Sequence, residues 1–415
     1  MIKFINFTNV ILYSRLLESK INFLFFKKYD QLTQLTGGVS EMSGQEVKTL
    51  LLSQKDLIEA GVMDMPHCVD VIEDVFSLIG KGDYLMGGPL ENEHGQMIYF
   101  PKEERFPGMP VTGPDRRFMA MIAYLGGKYK ICGEKWYGSN AENTKRGLPR
   151  SVLTTILNDA DTGIPFTIMS GNLISAMRTG AVPGVAARHL ARKGAETVGI
   201  IGGGVINRAC LYAIKVGVPT IKSAVLYDIN IEKGKEWAEQ EGKKHGIKIT
   251  VTDKIEEAVR QADVITIATS GDSFPRIETE WLKPGVLVTF TGDADMDPEA
   301  FSNNTVIADN WKMHEAFFVD GKEHPEGLDA VGVVAPTFHL LKAIEAGKYD
   351  QKKIRNLGPV VNGEDPGRKS DDEIIMFVTG GMPLHDIAWG KTLYDQAVAK
   401  GLGTEYCFFD EAYWR

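Results

Sequence analysis

Almost halfway along the 415 residues an apolar run ends in three consecutive glycines, Val198-Gly-Ile-Ile-Gly202-Gly-Gly204-Val-Ile-Asn207. A second apolar run, Ala224-Val-Leu-Tyr227, closes on Asp228. Few chain paths accommodate this pattern. A strand that ends in glycines can turn tightly, bring its backbone close to an anion, and open a helix whose free N–H groups face a pyrophosphate. Gly202, Gly204, Val205 and Ile206 therefore read as a phosphate turn and the helix start behind it, and Asp228 as the acceptor for ribose hydroxyls. Asp228 would repel a 2′-phosphate and has no arginine beside it, so the dinucleotide expected is NAD rather than its phosphorylated form. Asn207 stands where the fingerprint carries its third glycine. The turn's position implies that a substrate-handling part lies upstream of it.

The length allows two domains of ordinary size, each with its own core. With 43% hydrophobic and 24% charged residues the composition is that of a soluble globular protein, and the net charge of −9 leaves no basic footprint for nucleic acid. Cys68, Cys132, Cys210 and Cys407 are scattered without CxxC or Cys/His clustering. That usage suits a reducing, cytoplasmic compartment and gives no metal site. The first 41 residues differ from the rest: Phe23-Leu-Phe-Phe26 precedes Lys27-Lys28, and Arg15, Glu18 and Lys20 interrupt the apolar runs. This is too broken for a spanning helix, so no membrane is expected as a partner. The stretch 1–41 reads as a non-native or disordered extension, with Met42 as the natural start.

From residue 47 the pattern becomes regular. A strand at Thr49–Leu52 and helices behind Ser53 and over Met65–Gly80 lead into closely spaced strands at Gln96–Phe100, Arg117–Leu125, Tyr129–Trp136, Ser151–Asn158 and Pro165–Ser170. Short spacings favour an antiparallel sheet. Leu173–Lys193 is helical but interrupted by Gly180 and Pro183-Gly184. After the glycine turn, strand and helix alternate in the rhythm of a parallel sheet. The fold class expected is α/β: a Rossmann-type doubly wound parallel sheet over 176–345, plus a discontinuous α+β substrate and dimerisation domain made of 42–175 and 346–415. Arg368–Phe377 and a long terminal helix over Leu384–Lys400 are expected to pack back on that second domain.

Two cations stand out upstream of the turn. Lys135 ends an apolar strand before a glycine loop, where a lysine is either a snorkelling edge residue or a site cation. Arg178 is the charge on a helix of small apolar residues, and burying it requires an anionic partner. That partner is either a structural carboxylate or the carboxylate of a substrate. Downstream, Asp293 follows Val286–Thr291 at the carboxyl end of a sheet strand, where ligand sites of such sheets gather. Its alternative is a turn or cap within the acidic group Asp293, Asp295 and Asp297.

These segments carry a resemblance. Gly133-Glu-Lys135, Asn143–Gly147, Leu157-Asn-Asp159 with Thr162-Gly-Ile-Pro165, Ala176-Met-Arg178-Thr-Gly-Ala181, Ile200-Ile-Gly202-Gly-Gly204, Gly292-Asp293, Gly367-Arg368, Phe377-Val-Thr-Gly380 and His385-Asp386-Ile387 follow one another as they do in the ornithine cyclodeaminase and mu-crystallin family. The chain resembles that family from about residue 47 to 405. The resemblance implies that Lys135 and Arg178 hold the carboxylate of a small amino acid and that Lys135 and Asp293 form the catalytic pair, with Asp293 as acid/base. It also implies that Thr269 and Ser270 border a bound NAD, and that the chain is a homodimer. The implied reaction acts at the C–N bond through an imine, as a cyclodeaminase or alternatively as an imine or opine-type dehydrogenase. A non-catalytic ligand-binding role, as in mu-crystallin, is the third reading. One departure concerns the substrate end: a further family arginine should fall near Gly87-Gly-Pro89, where the chain has none, and Arg116 or Arg117, just after the inserted loop Pro101–Asp115, could substitute only if that loop folds inward.

Overall fold

The computed structural model describes residues 46–269, 274–324, 326–332 and 335–411; the expected extension over 1–41 and the expected cofactor residue Ser270 lie outside them. Lys48–Tyr406 form one compact unit, and the described residues 46–47 and 407–411 group separately.

The first layer begins with β1 (Val47–Leu52), α1 (Gln54–Ala60) and α2 (Met65–Lys81). Ser53 and Asp56 form a reciprocal cap at the start of α1, and Asp64 with Pro66 starts α2, so both helices begin where local chemistry satisfies their free N–H groups. The helices lead into β2 (Tyr84–Met86), β3 (Gln96–Tyr99), β4 (Arg117–Leu125), β5 (Ile131–Ser139), β6 (Ser151–Asp159) and β7 (Pro165–Ser170). These strands run in the order β1-β7-β6-β5-β4-β2, with β3 also on β4. Only the β1–β7 pair among them is parallel. Along β4 the side chains alternate, Met119, Met121, Ala123 and Leu125 buried against Phe118 and Ile122 exposed, so one face turns inward and the other is left apolar and open.

The second layer is the expected doubly wound sheet. After α3 (Gly171–Leu190) come β8 (Thr197–Ile201), α4 (Val205–Gly217), β9 (Ser223–Tyr227), α5 (Ile231–His245), β10 (Lys248–Thr252), α6 (Ile255–Arg260), β11 (Val264–Ile267) and β12 (Leu287–Phe290). Then follow α7 (Pro298–Ser302), β13 (Thr305–Ala308), α8 (Trp311–Glu323), α9 (Phe338–Glu345), β14 (Arg355–Asn356), α10 (Leu357–Val361) and β15 (Ile375–Val378). The chain continues through α11 (Pro383–Lys400) and β16 (Thr404–Phe409). The strand order is β10-β9-β8-β11-β12-β15-β13-β14, parallel throughout, and it reverses between β8 and β11 beside the glycine turn.

Two expectations are corrected. Ile375–Val378 does not return to the first layer: it is fully buried between β12 and β13 of the parallel sheet, and β14 joins the same sheet. A four-residue strand covered on both faces has no alternation to announce it. Only α11 behaves as expected, packing on β4, β5 and β6 and on α1–α3. Nor is α3 interrupted at Gly180 or Pro183; it runs unbroken through both. The glycines serve its packing on α4, because a Cβ on Gly180 would lie 2.4 Å from the Ala209 Cβ and one on Gly184 would lie 2.6 Å from the Ala213 Cβ. No helix among the described residues is long and apolar enough to cross a membrane.

Candidate active site

The glycine turn folds as its sequence requires. Gly202 takes a φ of +94° and donates its N–H to the Tyr227 carbonyl at 2.9 Å, which pins the turn to β9. A Cβ there would meet the Ala268 carbonyl and Thr269 at 3.1 Å, so this position needs glycine for both its angle and its space, and Thr269 does border the turn. Gly204 caps α4 without any side-chain hydrogen bond, leaving the first N–H groups of the helix open. Val205 beside it is 69% exposed, while Ile206 is half-buried. Asp228 accepts hydrogen bonds from the Gly203 and Asn230 N–H groups at 2.7 and 2.8 Å, and its oxygens keep further lone pairs for a ribose. The neighbouring Ile229 is 92% exposed, an apolar surface fit for a base. Asn207, buried at the third position of the motif, donates to the Ile201 and Gly202 carbonyls and accepts from Thr266, so it clamps the turn to β11. These features together fit a dinucleotide.

Lys135 and Arg178 meet in a cavity of about 290 Å³. Arg178 arrives from α3 and Lys135 from β5, and both contact one buried carboxylate, Asp386 of α11, at 3.0 and 3.4 Å. The two readings of Arg178 are thus joined: it has a structural carboxylate, but that carboxylate is shared between two cations. One positive charge stays uncompensated among side chains that are themselves about 5% exposed. Asp386 makes no aligned hydrogen bond with either oxygen, so the contact is one of charge. Burial, and next the Arg178 charge, bring the Lys135 ammonium down to about 8 against the pull of Asp386. The same field acts on His94, which also lines the cavity: burial, then Lys135, Arg178 and Arg117, push its imidazole down to about 3 and keep it neutral.

Thr291, just past β12, and Thr379, just past β15, complete the wall, so the cavity opens at the carboxyl ends of the parallel strands. The adjoining Gly380 and Gly381 N–H groups donate to Asp309 at 2.9 and 3.4 Å. His314 holds the other oxygen of Asp309 at 2.8 Å. A Cβ on Gly381 would lie 3.0 Å from Arg178 Nη1, which leaves glycine beneath the guanidinium.

Asp293 does not line this cavity, although Thr291 two residues earlier does. It is buried, and its carboxylate accepts hydrogen bonds from the Ala294 N–H at 2.8 Å and the His339 N–H at 3.0 Å, with the His339 ring Nδ1 at 2.9 Å. Burial raises its proton affinity above the usual carboxylate range despite His339. The turn-or-cap alternative keeps its footing, since the Ala294 N–H and the His339 N–H in the first turn of α9 both donate to Asp293, while Asp295 and Asp297 pair with Arg276 at 3.3 and 2.8 Å. His339 and Asp386 are partners that sequence reasoning left without a role. Asp386 had a signal in the His385-Asp386-Ile387 segment, whereas His339 had none. No group of three or more His, Cys, Asp or Glu among the described residues could hold a metal ion.

Residues 62–401 match the model of the ornithine cyclodeaminase/mu-crystallin family. The chain belongs to this family. Its similarity to N-((2S)-2-amino-2-carboxyethyl)-L-glutamate dehydrogenase of Staphylococcus aureus is 32% identity over 298 residues, 69% of this chain and 81% of the relative. Among solved structures, Δ1-pyrroline-2-carboxylate reductase of Thermococcus litoralis, in complex with NADH and L-proline, is 28% identical with a TM-score of 0.69, covering 86% of this chain and 99% of that one. An archaeal alanine dehydrogenase dimer with bound NAD is 25% identical with a TM-score of 0.69, covering 87% and 100%.

Proposed function

We propose that this family member is an NAD(H)-dependent enzyme that makes or breaks the C–N bond at the α-carbon of a small amino acid through an imine, with net oxidation or reduction. The observation that carries the reading is the Lys135–Asp386–Arg178 group in the cavity at the carboxyl ends of β12 and β15. Two buried cations sharing one carboxylate form a receptor for one more, and a small 2-imino or 2-amino acid supplies it. Relatives of both reaction types match the chain, and the dehydrogenase at 32% identity over 298 residues stands above the ornithine cyclodeaminase of Agrobacterium fabrum at 27% over 261, which supports net redox over the hydride-returning reaction.

When bound, NAD(H) would be held by the Gly202–Gly204 turn, Val205, Ile206, Thr269 and Asp228 and would supply or accept the hydride at the α-carbon. The chain's own groups do the rest. Lys135 and Arg178 fix the carboxylate, which restricts how the α-carbon faces its reaction partner. Asp293, its proton affinity raised by burial, exchanges the proton that leaves or joins the substrate nitrogen, with His339 orienting it. In the oxidative direction the α-carbon loses two electrons with the hydride, the nitrogen loses its proton to Asp293, and water converts the imine to a 2-oxo acid and an amine.

The first sheet with α11 is proposed as the substrate and dimerisation part and the parallel sheet as the nucleotide part, divided near residue 176. Leu85, Phe118, Ile122, Trp136 and Val152 on the open face of the first sheet are exposed and apolar, which suits a homodimer. The scattered cysteines, without a CxxC pair, suit a reducing cytoplasmic compartment.

The decisive assay follows NADH absorbance and ammonia together, with cyclic imines, 2-oxo acids plus amines, and diamino acids as substrates. NADH consumed in step with substrate supports the reading. Ammonia released from a diamino acid without net change in NADH replaces it by the cyclodeaminase reaction, and ligand binding without turnover replaces it by a binding role.

A further inference from the structure

The amino-acid carboxylate does not exhaust the cavity's positive charge. Arg117 lines it as well. In the antiparallel pair, Met121 lies opposite Lys135, Met119 opposite Tyr137, and Arg117 opposite Ser139. Strand alternation therefore puts Arg117, Met121, Lys135 and Tyr137 on one face of the sheet, with Arg117 four positions from the Lys135 level, about 13 Å along the strand.

Arg117 is held but not neutralised. Its side chain is 17% exposed, its Nε is buried without a hydrogen-bond partner, and the carboxylate beside it, Asp115 at 2.5 Å, also binds Arg150 at 2.6 Å and accepts a hydrogen bond from Ser139. One negative charge thus serves two guanidiniums. Asp115 adopts a φ of +50° immediately before β4, a left-handed conformation unusual for a residue other than glycine. Arg116, by contrast, donates to the Val111 carbonyl at 3.0 Å and stacks over Phe100, so it braces the inserted loop and leaves the cavity to its neighbour. Among the described residues Arg117 ion-pairs with Asp115, and Lys135 and Arg178 with Asp386, each carboxylate shared, and the nearby His94 keeps Nδ1 without a partner. A substrate with a single carboxylate would satisfy Lys135 and Arg178 and leave Arg117 with only its share of Asp115, the carboxylate that also serves Arg150.

We propose that Arg117 forms a second anion subsite and that the substrate is a dicarboxylate: a 2-oxo or imino acid whose distal carboxylate reaches Arg117 while its α-carboxylate lies on Lys135 and Arg178. This rests on the functional reading above and names the substrate class for the same cavity. Small monocarboxylates fill only the Lys135 end. The distal subsite replaces the family arginine that is absent near Gly87-Gly-Pro89, from a different strand and at a different place.

The test has two arms. In the first, NADH oxidation with ammonia is compared for 2-oxoglutarate and for 2-oxobutyrate. The wild type should favour the dicarboxylate about 100-fold in kcat/KM, Arg117→Gln should reduce that ratio to near unity, and Arg117→Lys should restore part of it. In the second arm, calorimetric titration of the NAD-loaded protein with glutarate and with butyrate needs no turnover. Glutarate should bind the wild type more tightly, with an affinity that falls at least about tenfold in Arg117→Gln while the melting temperature stays within a few degrees. A wild-type preference for 2-oxobutyrate, or equal glutarate affinity in wild type and Arg117→Gln, would overturn the subsite. If no acid consumes NADH but glutarate binding still depends on Arg117, the subsite stands and the enzymatic reading falls. Turnover of monocarboxylates with an Arg117-independent ratio leaves the enzymatic reading and removes the subsite.

Discussion

Two protonation states govern the chemistry proposed here, and burial sets both. Lys135 loses its proton near 8 because desolvation and the Arg178 charge outweigh Asp386. Below that pH it is an ammonium and holds a carboxylate, and above it the affinity is lost. The expected outcome is a kcat/KM that falls about tenfold per pH unit on the alkaline side of 8. Lys135→Arg should lose some activity but flatten that limb, since a guanidinium stays charged; an unchanged limb would assign the titration to another group. At Asp293 burial shifts proton affinity the other way, raising it above the usual carboxylate range against the pull of His339 and the Ala294 N–H. Asp293→Asn preserves the shape and the Ala294 contact but cannot exchange a proton. It should lower kcat at least about 100-fold with NADH affinity unchanged by fluorescence titration. A variant with near-normal kcat would make Asp293 a structural partner of His339 and nothing more.

At the scale of elements, α3 connects the two layers. It carries Arg178 into the cavity on one side and lays Gly180 and Gly184 against Ala209 and Ala213 of α4 on the other, where α4 begins at the phosphate turn. Substrate cation and cofactor turn are thereby held by one close helix pair. Gly184→Ala places a methyl 2.6 Å from the Ala213 Cβ and 2.8 Å from its carbonyl oxygen, so the helices must separate. We expect a loss of about 1–3 kcal/mol in unfolding free energy, read by denaturant titration, with weakened NADH binding. Full stability with normal binding would show that the pair can yield at no cost. A helix mostly of small residues, with a proline inside it, looked broken in sequence; its continuity follows from a neighbour that fills the space its side chains leave.

For the whole molecule, the exposed face of the first sheet is an apolar surface left open among the described residues. Phe118 and Trp136 stack at 5.8 Å, with Ile122, Leu85 and Val152 around them, and both aromatic rings are 39% exposed. Such a face on a sheet whose other side is packed by α11 is suited to a second copy of the chain. Trp136→Glu would bury a charge in that contact and should convert a dimer to a monomer in sedimentation analysis. An unchanged mass would place the interface elsewhere.

The sequence by itself determined what local chemistry can dictate. The glycine turn, its helix and Asp228 could be read because each is a short stretch whose backbone conformation depends on its own residues. Lys135 and Arg178 stood out because a charge in an apolar element demands a partner, and their roles, with that of Asp293, came from the family resemblance. Tertiary structure decided the rest, since the deciding contacts join residues far apart in the chain. Asp386 from the last helix is what Lys135 and Arg178 share, His339 is what holds Asp293, and Arg117 reaches the cavity because β4 pairs with β5 in one register and no other. The fully buried β15 carries no periodicity that would place it in one sheet rather than the other, and only the packed molecule inserts it between β12 and β13.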